Sequence, residues 1–141
     1  MKTLSKKVYN KSNIIIMKNR QGQIYFPAYN INSIGNWAVE EGYLTKVSAL
    51  DTLTITGSKI SPELYPINIP AGWSMISYLR TTPMSVATVM QSLLSKLIIV
   101  KDGSGNIYYP SSGVNSIGNM IPGRGYQVKF NADAVLTYPA N

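Results

Sequence analysis

Residues 12–55 align without a gap on residues 95–138, at an offset of 83, and 19 of the 44 aligned positions are identical. The block Asn32-Ser33-Ile34-Gly35-Asn36 recurs whole as Asn115-Ser116-Ile117-Gly118-Asn119. Self-similarity at a fixed offset is the mark of one supersecondary unit written twice, and it restricts the chain to folds assembled from that unit.

The matched positions say what the unit is for. Gly22/Gly105, Ile24/Ile107, Tyr25/Tyr108, Pro27/Pro110, Gly35/Gly118, Gly42/Gly125, Tyr43/Tyr126, Lys46/Lys129 and Leu53/Leu136 recur. Glycine, proline and alternating aliphatic and aromatic residues specify turns and strand faces. The acids do the opposite. Glu40 faces Gly123, Glu41 faces Arg124, Asp51 faces Ala134, Asp102 faces Asn19 and Asp133 faces Leu50. A role shared by the two copies is therefore not acid–base catalysis.

Composition sharpens that exclusion. The 141 residues include no Cys and no His, and only six carboxylates (Glu40, Glu41, Asp51, Glu63, Asp102, Asp133). Disulfides, thiolate nucleophiles, histidine bases and the usual zinc sites are ruled out. No cofactor, metal or enzymatic activity is expected. With 45% hydrophobic and 13% charged residues, the chain reads as folded and not as a charged disordered tail.

Each copy reads as strands. Ile14–Lys18 and Leu97–Lys101 are aliphatic runs of buried-strand length. The turns Asn19-Arg20-Gln21-Gly22 and Asp102-Gly103-Ser104-Gly105 lead into strands over 23–26 and 106–109, which is a hairpin signal. Pro27 and Pro110 close the second strand, because proline cannot donate to a ladder. Residues 42–47 and 125–130 alternate with period 2, and a last strand is expected over 52–56 and 134–138.

Between the copies, 65–70 and 73–79 read as strands broken at Pro70-Ala71-Gly72. Met84–Lys96 then places Val86, Val89, Met90, Leu93, Leu94 and Leu97 on one helical face, with Ser85 or Thr82 as cap. The expected organisation is a basic arm (1–11), an incomplete copy (12–57), a linker (58–64) and a complete copy (65–141). The expected fold is mainly β, sandwich-like or barrel-like, with one short amphipathic helix near 84–96 and one and a half copies of the repeat. The incomplete copy lacks the front strands and helix, and residues 1–11 are too polar to replace them. Its apolar face is expected to be completed by self-association or by other structural subunits.

Six of the thirteen basic residues (Lys2, Lys6, Lys7, Lys11, Lys18, Arg20) lie in the first twenty positions. The segment has no Arg-rich run and a single aromatic, Tyr9, so a solvated terminus is preferred to an arm for nucleic acid or an anionic surface. No signal peptide is visible, since Ile14–Met17 falls short of the roughly 7–15 apolar residues such a signal needs. No stretch reaches the ~18 apolar residues of a membrane-spanning helix.

The string Ile69-Pro70-Ala71-Gly72-Trp73-Ser74-Met75-Ile76-Ser77 is followed by Ile98-Ile99-Val100-Lys101-Asp102, Gly105-Asn106-Ile107-Tyr108-Tyr109-Pro110 and Gly123-Arg124-Gly125-Tyr126-Gln127-Val128-Lys129. It resembles β-rich repeat modules of Bacteroidetes-type surface and secreted proteins and of phage tail-fibre-like structural proteins. The resemblance covers 65–138 in full and 12–55 in part. It implies a non-catalytic subunit of a repetitive virion or extracellular surface assembly, and transfers no site residue. The alternative is a lectin-like carbohydrate-binding or adhesion module, with an outward tyrosine stacking on a sugar ring beside asparagines. Tyr25, Trp37, Tyr109, Asn32 and Asn115 are the candidate ligand or partner contacts. Asp102-Gly103-Ser104-Gly105-Asn106 has the oxygen spacing of a calcium loop's start, but its counterpart Asn19-Arg20-Gln21-Gly22-Gln23 has no carboxylate, so a hairpin turn is preferred.

Overall fold

Both aliphatic runs form strands, and both turn back on themselves in the same way. The computed structural model describes residues 13–53 and 57–141. In the first aligned stretch, β1 (Ile14–Lys18) pairs antiparallel with β2 (Ile24–Phe26), which pairs with β3 (Ile31–Asn32). β4 (Leu44–Val47) lies on the other side of β1, giving a four-stranded sheet in the order β3-β2-β1-β4.

The front segment follows: β5 (Ile67–Ile69), β6 (Gly72–Ser77), β7 (Met84–Ser85) and the helix α1 (Val86–Met90). The second stretch supplies β8 (Leu97–Lys101), β9 (Ile107–Tyr109), β10 (Val114–Asn115), β11 (Asn119–Met120), β12 (Gly125–Phe130) and β13 (Ala134–Leu136). Five of these elements form a sheet in the order β10-β9-β8-β12-β6, and the ladders β11-β7 and β13-β5 stand beside it. The fold is mostly β, with several sheets and one short helix.

Local chemistry explains why the turns recur. The Asn19 side-chain oxygen accepts from the N–H groups of Gln21 (3.1 Å) and Gln23 (2.9 Å), and the Asp102 carboxylate accepts from those of Ser104 and Asn106 (both 2.9 Å). Asn and Asp favour turns because a short polar side chain can satisfy the backbone two residues on. Ser33 and Ser116 each bridge both backbone groups of the isoleucine opposite, Ile24 and Ile107. Pro27 and Pro110 open single 3-10 turns that end on Asn30 (φ 55°) and Gly113 (φ 68°), two residue types that tolerate the left-handed conformation.

The two stretches part company in their packing. β12 alternates between buried and less buried positions along its length, and its inward side chains Tyr126, Val128 and Phe130 join one core with Ile67, Ile69, Ile76, Val86, Val89 and Met90. Around the first sheet the one fully buried apolar side chain among the described residues is Met17, packed by Ile14, Tyr25, Ile34, Trp37 and Tyr43. Every residue of β4 is exposed. Phe130 is 1% exposed and its aligned partner Val47 43%; Leu136 is 1% exposed and Leu53 44%.

Several expectations shift. The helix expected over 84–96 is shorter: α1 ends at Met90 and a 3-10 turn covers Gln91–Leu93. Met84 and Ser85 are drawn into a ladder with Met120 and Asn119, and the Val86 N–H donates to the Gly118 C=O (2.9 Å). Ser85 stands at the N-cap but makes no side-chain capping bond. Leu94 is exposed, and Leu97 is buried as part of a strand. Thr52 and Leu53 are not in a strand, whereas 134–136 are; residues 54–56 lie outside the described residues, as does the basic arm. Among the described residues no helix is long and apolar enough to cross a membrane.

Aligned positions with unequal burial have unequal energetic weight. Phe130→Ala removes a fully buried ring and is expected to destabilise by roughly 3–5 kcal/mol. Val47→Ala, at the aligned exposed position, is expected to change stability by less than about 0.5 kcal/mol. Urea denaturation of the two variants checks this, and equal losses would contradict the asymmetry.

Candidate interaction surfaces

The first sheet is held to the rest of the chain through β6. One edge of β6 pairs with β12 along its full length, from Gly125 opposite Ser77 to Phe130 opposite Gly72. The other edge receives the segment ahead of β4. The Ser77 N–H donates to the Glu40 C=O (3.2 Å), the Gly42 N–H donates to the Met75 C=O (3.3 Å), and Glu41 stands opposite Ile76. The Ser77 hydroxyl adds a bond to the Val39 C=O.

Glycine is required at this crossing. A Cβ on Gly42 would lie 2.7 Å from the Ile76 carbonyl oxygen and 3.3 Å from the Gly125 Cα. The obstacle is backbone, which cannot rotate away. Gly42 and Gly125 are aligned positions of the two stretches, and here they meet. Around them, Arg20 Nε is 3.2 Å from a Glu41 carboxylate oxygen, and the Gln21 side chain donates to the same oxygen (3.0 Å). Arg20 also donates to the Asn68 C=O (3.3 Å). The first hairpin turn is thereby pinned over β5 and β6.

Beside this junction lies the most distinctive surface feature. Trp73 on β6 is exposed, and the ammonium groups of Lys101 and Lys129 each lie 5.6 Å from its ring centroid. A cation over a ring face is attracted by the ring quadrupole. Trp73 stands directly opposite Lys129 across the β12–β6 pair, and Lys101 is opposite Gln127 on the next strand. The shallow groove alongside is lined by Asn19, Arg20, Met75, Lys101 and Gln127. Sequence reasoning missed Trp73. The signal available was the pair of lysines that recur unchanged, Lys18/Lys101 and Lys46/Lys129, within otherwise apolar strands.

The residues singled out in the sequence do not converge on one site. Tyr25 and Asn32 are cross-strand partners, and Trp37 packs edge-on against Tyr43 (4.7 Å) around Met17. Tyr25 is partly buried against Met17, and burial raises its hydroxyl above the ordinary tyrosine pKa. In the second stretch Tyr109 faces Val114, while Asn115 is opposite the buried Tyr108. Asn32 and Asn115 use their side-chain oxygens to accept from the N–H groups of Gly35 and Gly118 (both 3.0 Å), which is turn chemistry. Tyr43 and Tyr126 accept from the N–H groups of Ala38 (2.9 Å) and Ile121 (2.8 Å). Burial is the main reason both titrate above the ordinary tyrosine range.

The Asp102 loop is a hairpin turn. Its carboxylate is occupied by its own loop, including the Asn106 side-chain amide (2.8 Å). Among the described residues no cluster of three or more His, Cys, Asp or Glu could hold a metal. Comparison with protein-family models, curated proteins and solved structures finds no match for this chain.

Two outcomes follow from this geometry. Gly42→Ala forces backbone apart at the junction and is expected to destabilise by about 1–3 kcal/mol, read from thermal or urea unfolding; no change would mean that the crossing is loose. Partial burial opposes the charge on Asp102, but the Asn106 side chain, the Asn106 and Ser104 N–H groups and Arg124 outweigh it and leave its pKa lowered. A lowered native pKa gives stability that is present above the ordinary carboxylate range and lost as pH falls through the native value. Asp102→Asn reproduces the uncharged turn of Asn19. Its melting temperature is expected to fall less than the wild type's below about pH 4, and parallel curves would refute the assignment.

Proposed function

We propose that this chain is a non-catalytic assembly module, built as one and a half copies of a β-sandwich-like repeat, that joins other chains through its incomplete copy. The setting that fits is a repetitive virion or extracellular surface assembly, in line with the resemblance carried by 65–138. One observation carries the reading. Positions that are core in the complete copy, Phe130 and Leu136, are open to solvent in the other as Val47 and Leu53. Apolar side chains placed at core positions of a repeat, and left exposed among the described residues, fit a surface that a partner covers.

Two further features support an assembly role over a catalytic one. The titratable groups are committed to structure: Asp102 to its turn, Glu41 to Arg20 and Gln21, and Tyr43 and Tyr126 to backbone amides. Among the described residues the recurrent ones serve turns, strands and the lysine pair.

Sedimentation velocity and electron microscopy over a range of concentrations test the reading. The wild-type chain is expected to form assemblies larger than one chain. The double substitution Val47→Lys with Leu53→Lys, at two exposed positions, is expected to leave a folded monomer. A wild type that stays monomeric at every concentration would overturn the proposal.

A further inference from the structure

The incomplete copy offers an open strand edge as well as exposed side chains. Among the described residues β4 pairs with β1 alone and is the edge of its sheet. Its counterpart β12 is not an edge: it lies between β8 and β6. The Tyr78 N–H donates to the Arg124 C=O (3.3 Å), and antiparallel alternation then turns the backbone groups of Tyr126, Val128 and Phe130 toward β6. The aligned residues on β4 with outward backbone groups are Thr45 and Val47.

The edge carries a chemical instruction. Lys101 and Lys129 hold Trp73 on β6, and their aligned residues Lys18 and Lys46 are retained although, among the described residues, no strand lies on the outer side of β4 to supply a ring. A lone lysine on an edge strand can serve to repel other strands. The same lysine on β12 sits inside a paired sheet, against an aromatic ring, so repulsion does not explain its recurrence.

Resting on the assembly reading above, we propose that β4 is an acceptor edge for an extended segment of another polypeptide, which adds antiparallel and places an aromatic residue opposite Lys46. The register follows from β12 and β6: glycine or another small residue opposite Val47, the aromatic residue opposite Lys46, and a small residue opposite Thr45. This is recognition by β-augmentation, in which main-chain bonds supply affinity and alternate side chains supply specificity.

No segment among the described residues is free to be the donor. β6 is engaged by β12 along one edge and by residues 40–42 on the other. In the aligned frame, the helix positions Val86, Val89, Met90 and Leu93 correspond to Thr3, Lys6, Lys7 and Asn10, which lack the apolar face to stand in for the missing front. Exchange of β6 between two copies gains nothing, because the described residues hold two sheets that would take such a strand and one β6 to fill them.

The probe is a synthetic peptide with the sequence of Pro70–Leu79, titrated into the intact chain with fluorescence anisotropy, sedimentation and amide hydrogen exchange as readouts. Saturable 1:1 binding is expected, with the Thr45 and Val47 amides gaining protection. N-methylation of the peptide at the Ser74 position, whose N–H faces the acceptor, is expected to abolish binding, and N-methylation at the Met75 position to spare it. Replacing the peptide tryptophan by alanine should weaken binding by roughly tenfold, and Lys46→Gln should remove most of that difference. No binding, with self-association intact, overturns the acceptor edge and leaves the assembly reading standing. Binding indifferent to N-methylation also overturns strand addition. No binding by a chain that stays monomeric overturns both.

Discussion

The structure depends on one strand being shared. β6 completes the five-stranded sheet by pairing with β12, and its opposite edge carries the bridge at Glu41–Ile76 that joins the first sheet to the rest. Each of these pairings involves backbone groups that would otherwise be left exposed on a sheet edge. The sharing works because two glycines from aligned positions, Gly42 and Gly125, meet where three segments crowd together. A side chain at Gly42 would strike the Ile76 carbonyl, so the junction rests on the absence of an atom.

From that sharing follows the asymmetry of the two copies. β12 receives β6 along its whole length and is covered on its inner face by β5, β13 and α1. β4 diverges from β6 after Gly42 and receives neither. The hydrophobic term scales with apolar area removed from water, so the same pattern of residues contributes strongly in one place and little in the other. Met17, held by a small ring of aromatic and aliphatic side chains, is what remains of a core in the first sheet. The first sheet thus has exposed apolar residues and, among the described residues, an open edge at β4.

Much of the fold was legible in the sequence, element by element. The hairpins at 19–22 and 102–105 follow from Asn and Asp accepting bonds from residues two and four positions ahead. The stops at Pro27 and Pro110 follow from a missing donor. The short helix followed from the spacing of Val86, Val89, Met90 and Leu93, though not its length, because strand pairing at Met84–Ser85 claimed its first turn. The site was less legible. Tyr25 and Asn32 are visible as candidates because of their residue types, yet one packs partly against Met17 and the other stabilises a turn. Trp73 was passed over because its partners Lys101 and Lys129 are 28 and 56 positions away in the chain, and only strand register brings the three together.

The sequence by itself determined the turns, the strand positions and the absence of histidine and cysteine chemistry. All of these rest on interactions within a few residues or on which atoms are present at all. The tertiary structure decided which of two nearly equivalent strands becomes core and which becomes edge. That outcome depends on where the single front segment packs, and two aligned strands in the same chain cannot tell from their own residues which of them it will cover.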